Sequence, residues 1–296
     1  MSTKKTFLIT GGTGFLGSNI LKHMIGRGNE LIVLKRSLSN INRISDMAKK
    51  LVLYDLDQVD IKQVFCDHRI DKIIHCATNY GRTASNPMEV IEANLMLPLR
   101  LLELGKAHKV KCFINTDTIL DKRISYYALS KSQFKQWLAV YASEILCLNI
   151  ELEHFYGPED DDSKFVTNIV HKLLNQVDKI DLTKGRQKRS FIYIDDAVEA
   201  FTRIIDHSDS LSAGFYTFQV GSLETVEIKQ FVELVKELTF NKNTVLNFGA
   251  LPYRENEVME PRLDLTKLIE LGWRPRISLA EGLKKTIEAE RIKLCR

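Results

Sequence analysis

Apolar residues follow two rhythms along this chain. Short unbroken runs, at Phe7–Ile9, Leu31–Leu34, Leu51–Tyr54, Lys72–Ala77, Cys112–Asn115, Asn149–Phe155 and Phe215–Val220, suit strands buried on both faces. Between them, apolar residues recur every three or four positions over Phe15–Ile25, Pro87–His108, Tyr127–Ser143, Ala197–Ile205, Val226–Leu238 and Leu279–Ile292. That spacing belongs to helices with one buried face. Strand and helix alternating in this way predict an α/β fold around a doubly wound parallel sheet. In the second helical stretch, Leu97, Leu101 and Leu104 form a stripe that reads as core or as a helix–helix interface.

The first strand runs into Gly11, Gly14 and Gly17, and the first helix starts there. Such a turn must reverse sharply and let backbone approach an anion, which glycine permits because it lacks Cβ and reaches positive φ. The helix then aims its positive end at whatever the turn holds. Strand, glycine turn and helix together predict a Rossmann-type dinucleotide site. A site that prefers NAD places an acid about 20 residues beyond the glycines, for the ribose 2′-hydroxyl. This chain has Lys35, Arg36 and Ser37 there, with Arg43 close behind. A guanidinium suits a 2′-phosphate, so NADP(H) is the expected cofactor. An exposed basic loop is the plainer alternative. After the third strand, Asp55 and Asp57 have two candidate roles, accepting from the adenine amino group or capping the next helix.

Composition sets few further limits. Among 296 residues, 42 Lys plus Arg stand against 38 Asp plus Glu, a net charge of +4 that calls for neither nucleic acid nor a membrane surface. No run approaches the roughly 20 apolar residues of a membrane span, and Met-Ser-Thr-Lys-Lys leads directly into the first strand, so a cytoplasmic protein is expected. The five cysteines lack metal spacing and read as reduced, buried thiols. His75 before Cys76 reads as a core histidine rather than a ligand. The acidic run Glu159–Asp162 reads as a solvated loop, and Asp195-Asp196 as a helix N-cap.

The chemistry is concentrated further along. The fifth strand delivers Thr116, Asp117 and Thr118 to its C-terminal end, where ligands of open α/β sheets bind. Tyr127 and Lys131 follow, four apart and so on one helix face. A free phenol, with pKa roughly 10, exchanges protons poorly near neutrality. A nearby ammonium would lower that value, which gives the Tyr-x-x-x-Lys spacing a mechanism.

With Gly11–Gly17, Tyr127/Lys131, Tyr156-Gly-Pro158 and Arg189-Ser-Phe191 considered together, the chain resembles the extended short-chain dehydrogenase/reductases. Further stretches, including His75–Arg82, Asn115-Thr-Asp117, Leu152–Gly157, Phe248-Gly249 and Arg254–Glu257, are similar to the CDP-abequose and CDP-paratose synthases. That resemblance implies NADPH-dependent reduction of the 4-keto group of a CDP-linked 3,6-dideoxyhexose for O-antigen synthesis, by a homodimer. It implies Tyr127 and Lys131 as catalytic, with Thr116 by strand alignment and Thr118 as competitor. The cofactor would meet Gly11, Thr13, Gly14, Phe15, Leu16, Gly17, Lys35, Arg36, Ser37, Asp55 and Leu56. Cys76, Ala77, Thr78, Asn94, Tyr127, Lys131 and His154 would complete that shell. The nucleotide-sugar substrate would meet Tyr80, Arg82, Asp117, Lys164, Phe165, Arg189, Arg254 and Glu257, with no metal. Three departures from the family pattern are Ser190, where an acid is usual, Glu151, where an arginine is common, and the unusually short stretch between Thr116 and Tyr127.

Residues 1–156 with 191–221 are expected to form the NADP-binding Rossmann domain, and 157–190 with 222–296 a smaller, interleaved substrate-binding lobe. Thr118 replaces the second acid of a 4,6-dehydratase, which disfavours dehydration. A nucleotide-sugar 4-epimerase and a non-catalytic NADP-sensing module stand as alternatives to the reductase.

Overall fold

The computed structural model describes residues 4–82 and 86–295. It divides into two compact units, Met1–Leu152 with Val198–Phe218, and Glu153–Ala197 with Gln219–Arg296.

The first unit opens with strands β1 (Thr6–Thr10), β2 (Glu30–Lys35), β3 (Val52–Asp55), β4 (Lys72–His75), β5 (Cys112–Thr118) and β6 (Leu146–Leu152). Its helices are α1 (Phe15–Met24), α2 (Ile61–Asp67), α3 (Pro87–Ile91), α4 (Leu97–Ala107) and α5 (Tyr126–Tyr141). β1 to β6 are paired in parallel. On one face, Leu8, Ile73, Phe113 and Cys147 stand in register across β1, β4, β5 and β6. They pack with Val64 and Phe65 of α2, Leu97 and Leu101 of α4, and Phe134 and Leu138 of α5 in a single core. The other face meets α1, where Leu21 and Val33 crowd together beside Gly12. This is a Rossmann-like α/β fold.

The second unit contributes β7 (His154–Tyr156), α6 (Phe165–Leu174), β8 (Lys179–Leu182), β9 (Lys188–Arg189) and β10 (Phe191–Tyr193). The chain then passes through α7 (Ile194–His207) and β11 (Phe215–Val220), which completes the sheet order β11-β6-β5-β4-β1-β2-β3. Thereafter come β12 (Val226–Glu227), α8 (Ile228–Leu238), β13 (Val245–Phe248), α9 (Thr266–Glu270) and α10 (Leu279–Leu294). Aromatic packing holds this unit together: Phe191 stacks on Phe231 at 4.2 Å, and Tyr156 and Tyr193 meet edge to face at 5.7 Å.

Several elements differ from the sequence expectation. β4 stops at His75, so Cys76 to Tyr80 leave the sheet as irregular backbone. The predicted strand Asn149–Phe155 is two strands, β6 and β7. The predicted helix Pro87–His108 is interrupted by a π-helical stretch, Glu92–Met96, that widens the turn carrying Asn94. Its leucine stripe is core, with Leu101 fully buried. Asp196 is not a cap. Its carboxylate accepts the N–H groups of Arg276 and Ile277 at 3.0 and 2.9 Å. The cap of α2 is Asp60, which accepts from Lys62, and neither Asp55 nor Asp57. Cys66 and Cys295 are exposed, against the expectation of buried thiols. Among the described residues no helix is long and apolar enough to cross a membrane, and no His, Cys, Asp or Glu cluster could hold a metal.

Candidate active site

The first unit gathers most of the expected residues at the C-terminal ends of its strands. Gly11 turns out of β1 at φ +69°, and a Cβ there would stand 2.4 Å from the Ala77 nitrogen. At Gly17 a Cβ would come within 2.2 Å of the Gly11 carbonyl oxygen, so only glycine lets α1 start this close to β1. Gly14 donates to Gly11 O at 3.0 Å and closes the turn that carries Thr13. No side chain caps α1, and its positive end, next to Phe15 and Leu16, is offered to an anion. A side-chain-free cradle against an uncapped helix start fits the pyrophosphate of a dinucleotide.

At the end of β2 the basic residues take separate roles. Lys35, expected at a phosphate, pairs with Asp55 of β3, so neither is the simple ligand contact foreseen. Leu56 N–H bonds the Lys35 carbonyl at 2.7 Å. Asp57 accepts the Ser37 N–H at 2.7 Å, which holds its carboxyl below the usual range. The Ser37 hydroxyl also faces the Asp57 carboxylate, while Arg36 is exposed. An exposed guanidinium at the end of β2 is a donor suited to phosphate.

Asn94 departs from expectation. Its oxygen accepts from Thr78 Oγ1 at 3.1 Å and Asn79 N–H at 2.7 Å, and its nitrogen donates to Asn79 O and Ser130 Oγ at 2.8 and 3.1 Å. With that amide fully bonded, Asn94 shapes the Cys76–Tyr80 segment rather than reaching for a cofactor. Burial pushes the Cys76 thiol up to about 12, which makes it inert.

β5 and α5 carry the acid–base groups. Ser125 caps α5 by accepting the Ala128 N–H, which sets Tyr127 and Lys131 one turn apart at its start. Lys131 is 1 % exposed, and its Nζ donates to the Thr116 carbonyl at 2.8 Å. Thr116 donates its own hydroxyl to the His75 carbonyl at 3.0 Å, so it is not the free hydroxyl that strand alignment implied. The Thr118 hydroxyl, by contrast, shares a hydrogen bond with the Tyr127 phenol. Asp117, expected at the substrate, turns inward instead. Its oxygens accept from Asn149 Nδ2 at 2.8 Å and Thr118 N–H at 2.7 Å. Tyr80 packs its ring 4.9 Å from that of Tyr127, and the Arg82 guanidinium lies 5.0 Å from the Tyr80 ring centre.

The electrostatics reverse one expectation. Lys131 was to lower the Tyr127 pKa, yet the phenol is held above its ordinary value, first by burial and then by Tyr80 and Asp117. Lys131 itself falls to about 8 through burial, with the Asp117 carboxylate pulling the other way. Asp117 in turn is raised by burial against the bonds it accepts.

The second unit holds the remaining candidates. Arg189, expected to face a diphosphate, is closed in by Glu257, by the Val258 carbonyl at 2.7 Å and by the Lys188 carbonyl. Arg254 is exposed. His154 Nδ1 lies 2.7 Å from a Glu153 oxygen. Lys164 precedes α6, and Phe165 packs 5.6 Å from Phe231. Sequence reasoning missed Ser130 and Asn149. The signal for the latter was an amide inside the otherwise apolar run Leu146–Ile150.

Residues 7–221 match the NAD dependent epimerase/dehydratase family. The chain belongs to that family. Within the NAD dependent epimerase/dehydratase family it is 34% identical to CDP-abequose synthase of Salmonella muenchen over 296 residues, 97% of this chain and 98% of the relative. It is 28% identical to CDP-abequose synthase of Salmonella typhimurium, over 96% and 98% of the two chains. Among solved structures, UDP-glucose 4-epimerase of Thermotoga maritima with UDP-glucose superposes with a TM-score of 0.84 at 26% identity, covering 98% of this chain and 99% of its own. The protein is thus an enzyme of the epimerase/dehydratase family.

Proposed function

We propose that this enzyme reduces the C4 keto group of a nucleotide-linked 4-keto-3,6-dideoxyhexose, with CDP as the carrier and NADPH as the reductant. The observation that carries this reading is the meeting of a protonated phenol, Tyr127, with the Thr118 hydroxyl at the end of β5. The likeness to the CDP-abequose synthases supports the substrate class. The uncapped start of α1, with the exposed Arg36 just past the end of β2, supports NADPH.

The bound cofactor supplies hydride to the carbonyl carbon. Thr118 orients the carbonyl oxygen by hydrogen bonding and stabilises its growing negative charge. Tyr127 then donates its proton to that oxygen, and its raised pKa keeps the proton in place until the charge develops. Lys131 holds the cofactor ribose and keeps a positive charge under the site. Tyr126, Leu129, Trp137 and Val140 leave an apolar stripe exposed along α5, which supports a homodimer.

The test is incubation with CDP-4-keto-3,6-dideoxyglucose and NADPH, following cofactor oxidation and identifying the sugar by NMR. A reductase consumes one cofactor per sugar. A nucleotide-sugar 4-epimerase, the reading favoured by the likeness to UDP-glucose 4-epimerase, turns over without net consumption, and an NADP-sensing module does neither. Arg36→Ala should raise the NADPH KM by about ten- to a hundredfold, the loss of one charged hydrogen bond, and leave NADH unchanged. Equal losses for both cofactors would remove Arg36 from phosphate recognition.

A further inference from the structure

The sheet carries a second line of side chains that the proposed chemistry does not use. Thr10, His75, Asn115 and Asn149 stand in register on β1, β4, β5 and β6, and none is more than 1 % exposed. Polar groups cost free energy to bury unless they are bonded, so this row needs a reason. Thr10 Oγ1 lies 2.8 Å from His75 Nδ1. Asn115 Nδ2 donates to Asn149 Oδ1 at 2.7 Å, and Asn149 Nδ2 donates to Asp117 Oδ2 at 2.8 Å. A carboxylate only accepts, so Asp117 dictates which way both amides turn. Its second oxygen takes the Thr118 N–H at 2.7 Å. The amide chain therefore ends on the backbone of the residue whose hydroxyl meets Tyr127.

The geometry points to Asn149 as a positioning residue: aligned by Asn115, its amide pins the Asp117 carboxylate, and the carboxylate pins Thr118 beside the Tyr127 phenol. The inference rests on the reading of Tyr127 and Thr118 as the reacting pair, and adds how that pair is held. Asp117 is faced by Lys131 and Tyr127 of α5 and by Glu151 of β6, which pairs with Lys135 at 2.5 Å. On β4, His75 is kept neutral by burial and by Lys131. Removing the Asn149 donor takes away a bond that favours the ionised carboxyl, so Asp117 takes its proton at higher pH.

The experiment titrates the Asp117 carboxyl by 13C NMR in cofactor-free protein labelled at aspartate, its signal assigned by its loss in Asp117→Asn. In parallel, kcat and KM are measured against pH with NADPH and CDP-4-keto-3,6-dideoxyglucose. In Asn149→Leu the Asp117 midpoint should rise and kcat fall about tenfold with KM little changed, as for loss of one aligned bond. Asn149→Leu added to Asp117→Asn should lower kcat no further than Asp117→Asn alone, since both act through the same carboxylate. An unmoved Asp117 titration, or full kcat beside a moved one, overturns the proposal. Should Asn149→Leu fail to fold, Asn149→Thr keeps a hydroxyl donor, and the same titration and kcat changes, reduced in size, are required of it. The titration needs no substrate. A wild-type enzyme without turnover would therefore contradict the reductase reading while the Asp117 midpoint still decides this one.

Discussion

Two rows of side chains cross the same four strands on the same face of the sheet, two residues apart. Leu8, Ile73, Phe113 and Cys147 form the first, and Thr10, His75, Asn115 and Asn149 the second. Both are buried almost completely. The rings of His75 and Phe113 lie 6.3 Å apart, so the rows touch. The apolar row gains stability from area alone, about 25 cal/mol for each Å² removed from water, and has no preferred direction. The polar row forgoes part of that gain, and the bonds of its two amides run one way, from Asn115 through Asn149 to Asp117. Moving toward the C-terminal ends of the strands, the sheet changes from a part that holds the fold to a part that aims side chains.

This contrast can be broken in four places. Tyr127→Phe, at the working end, should lower kcat by about 10²–10⁴ while the unfolding midpoint in urea stays put. Near-normal turnover would remove Tyr127 from proton donation. Phe113→Ala, in the apolar row, should cost about 3–5 kcal/mol of stability in urea unfolding, with kcat per folded molecule little changed. A large kcat effect there would mean that the rows are not separable.

Lys131 supplies a third test, because its effects on activity and stability have opposite signs. Its pKa of about 8 in the fold lies below the unfolded value. Between the two values the unfolded chain binds more protons, so this residue's contribution to stability rises with pH from about 8 to about 10.4. Turnover should fall over the same range as the ammonium is lost, and Lys131→Met should abolish the stability rise. Unfolding and turnover measured across that range check both signs. The smallest effect belongs to Thr10→Val with His75→Phe. Replacing both partners of a buried bond by apolar groups should change urea stability by no more than about 1 kcal/mol. A loss of several kcal/mol would make that end of the row structural.

The first row was legible in the sequence because strand burial leaves unbroken apolar runs, and the glycine turn because its geometry tolerates no other residue at Gly11 or Gly17. The spacing of Tyr127 and Lys131 was legible for the same local reason. What the sequence did not disclose depends on partners distant along the chain. Lys35 and Asp55 look like ligand groups until β2 and β3 are paired. Asp196 looks like a cap until the backbone of Arg276 and Ile277 arrives at its carboxylate. Thr116 and Thr118 are chemically identical, and only the position of the His75 carbonyl separates them. The π-helical stretch around Asn94 leaves the apolar spacing almost unaltered, so periodicity could not reveal it.

The most direct test of the reductase reading uses NADPH carrying deuterium at the transferable position of its nicotinamide, incubated with CDP-4-keto-3,6-dideoxyglucose. The account predicts one deuterium at C4 of the sugar product for each NADPH oxidised. A sugar product without deuterium at C4, formed with the cofactor unconsumed, would contradict it.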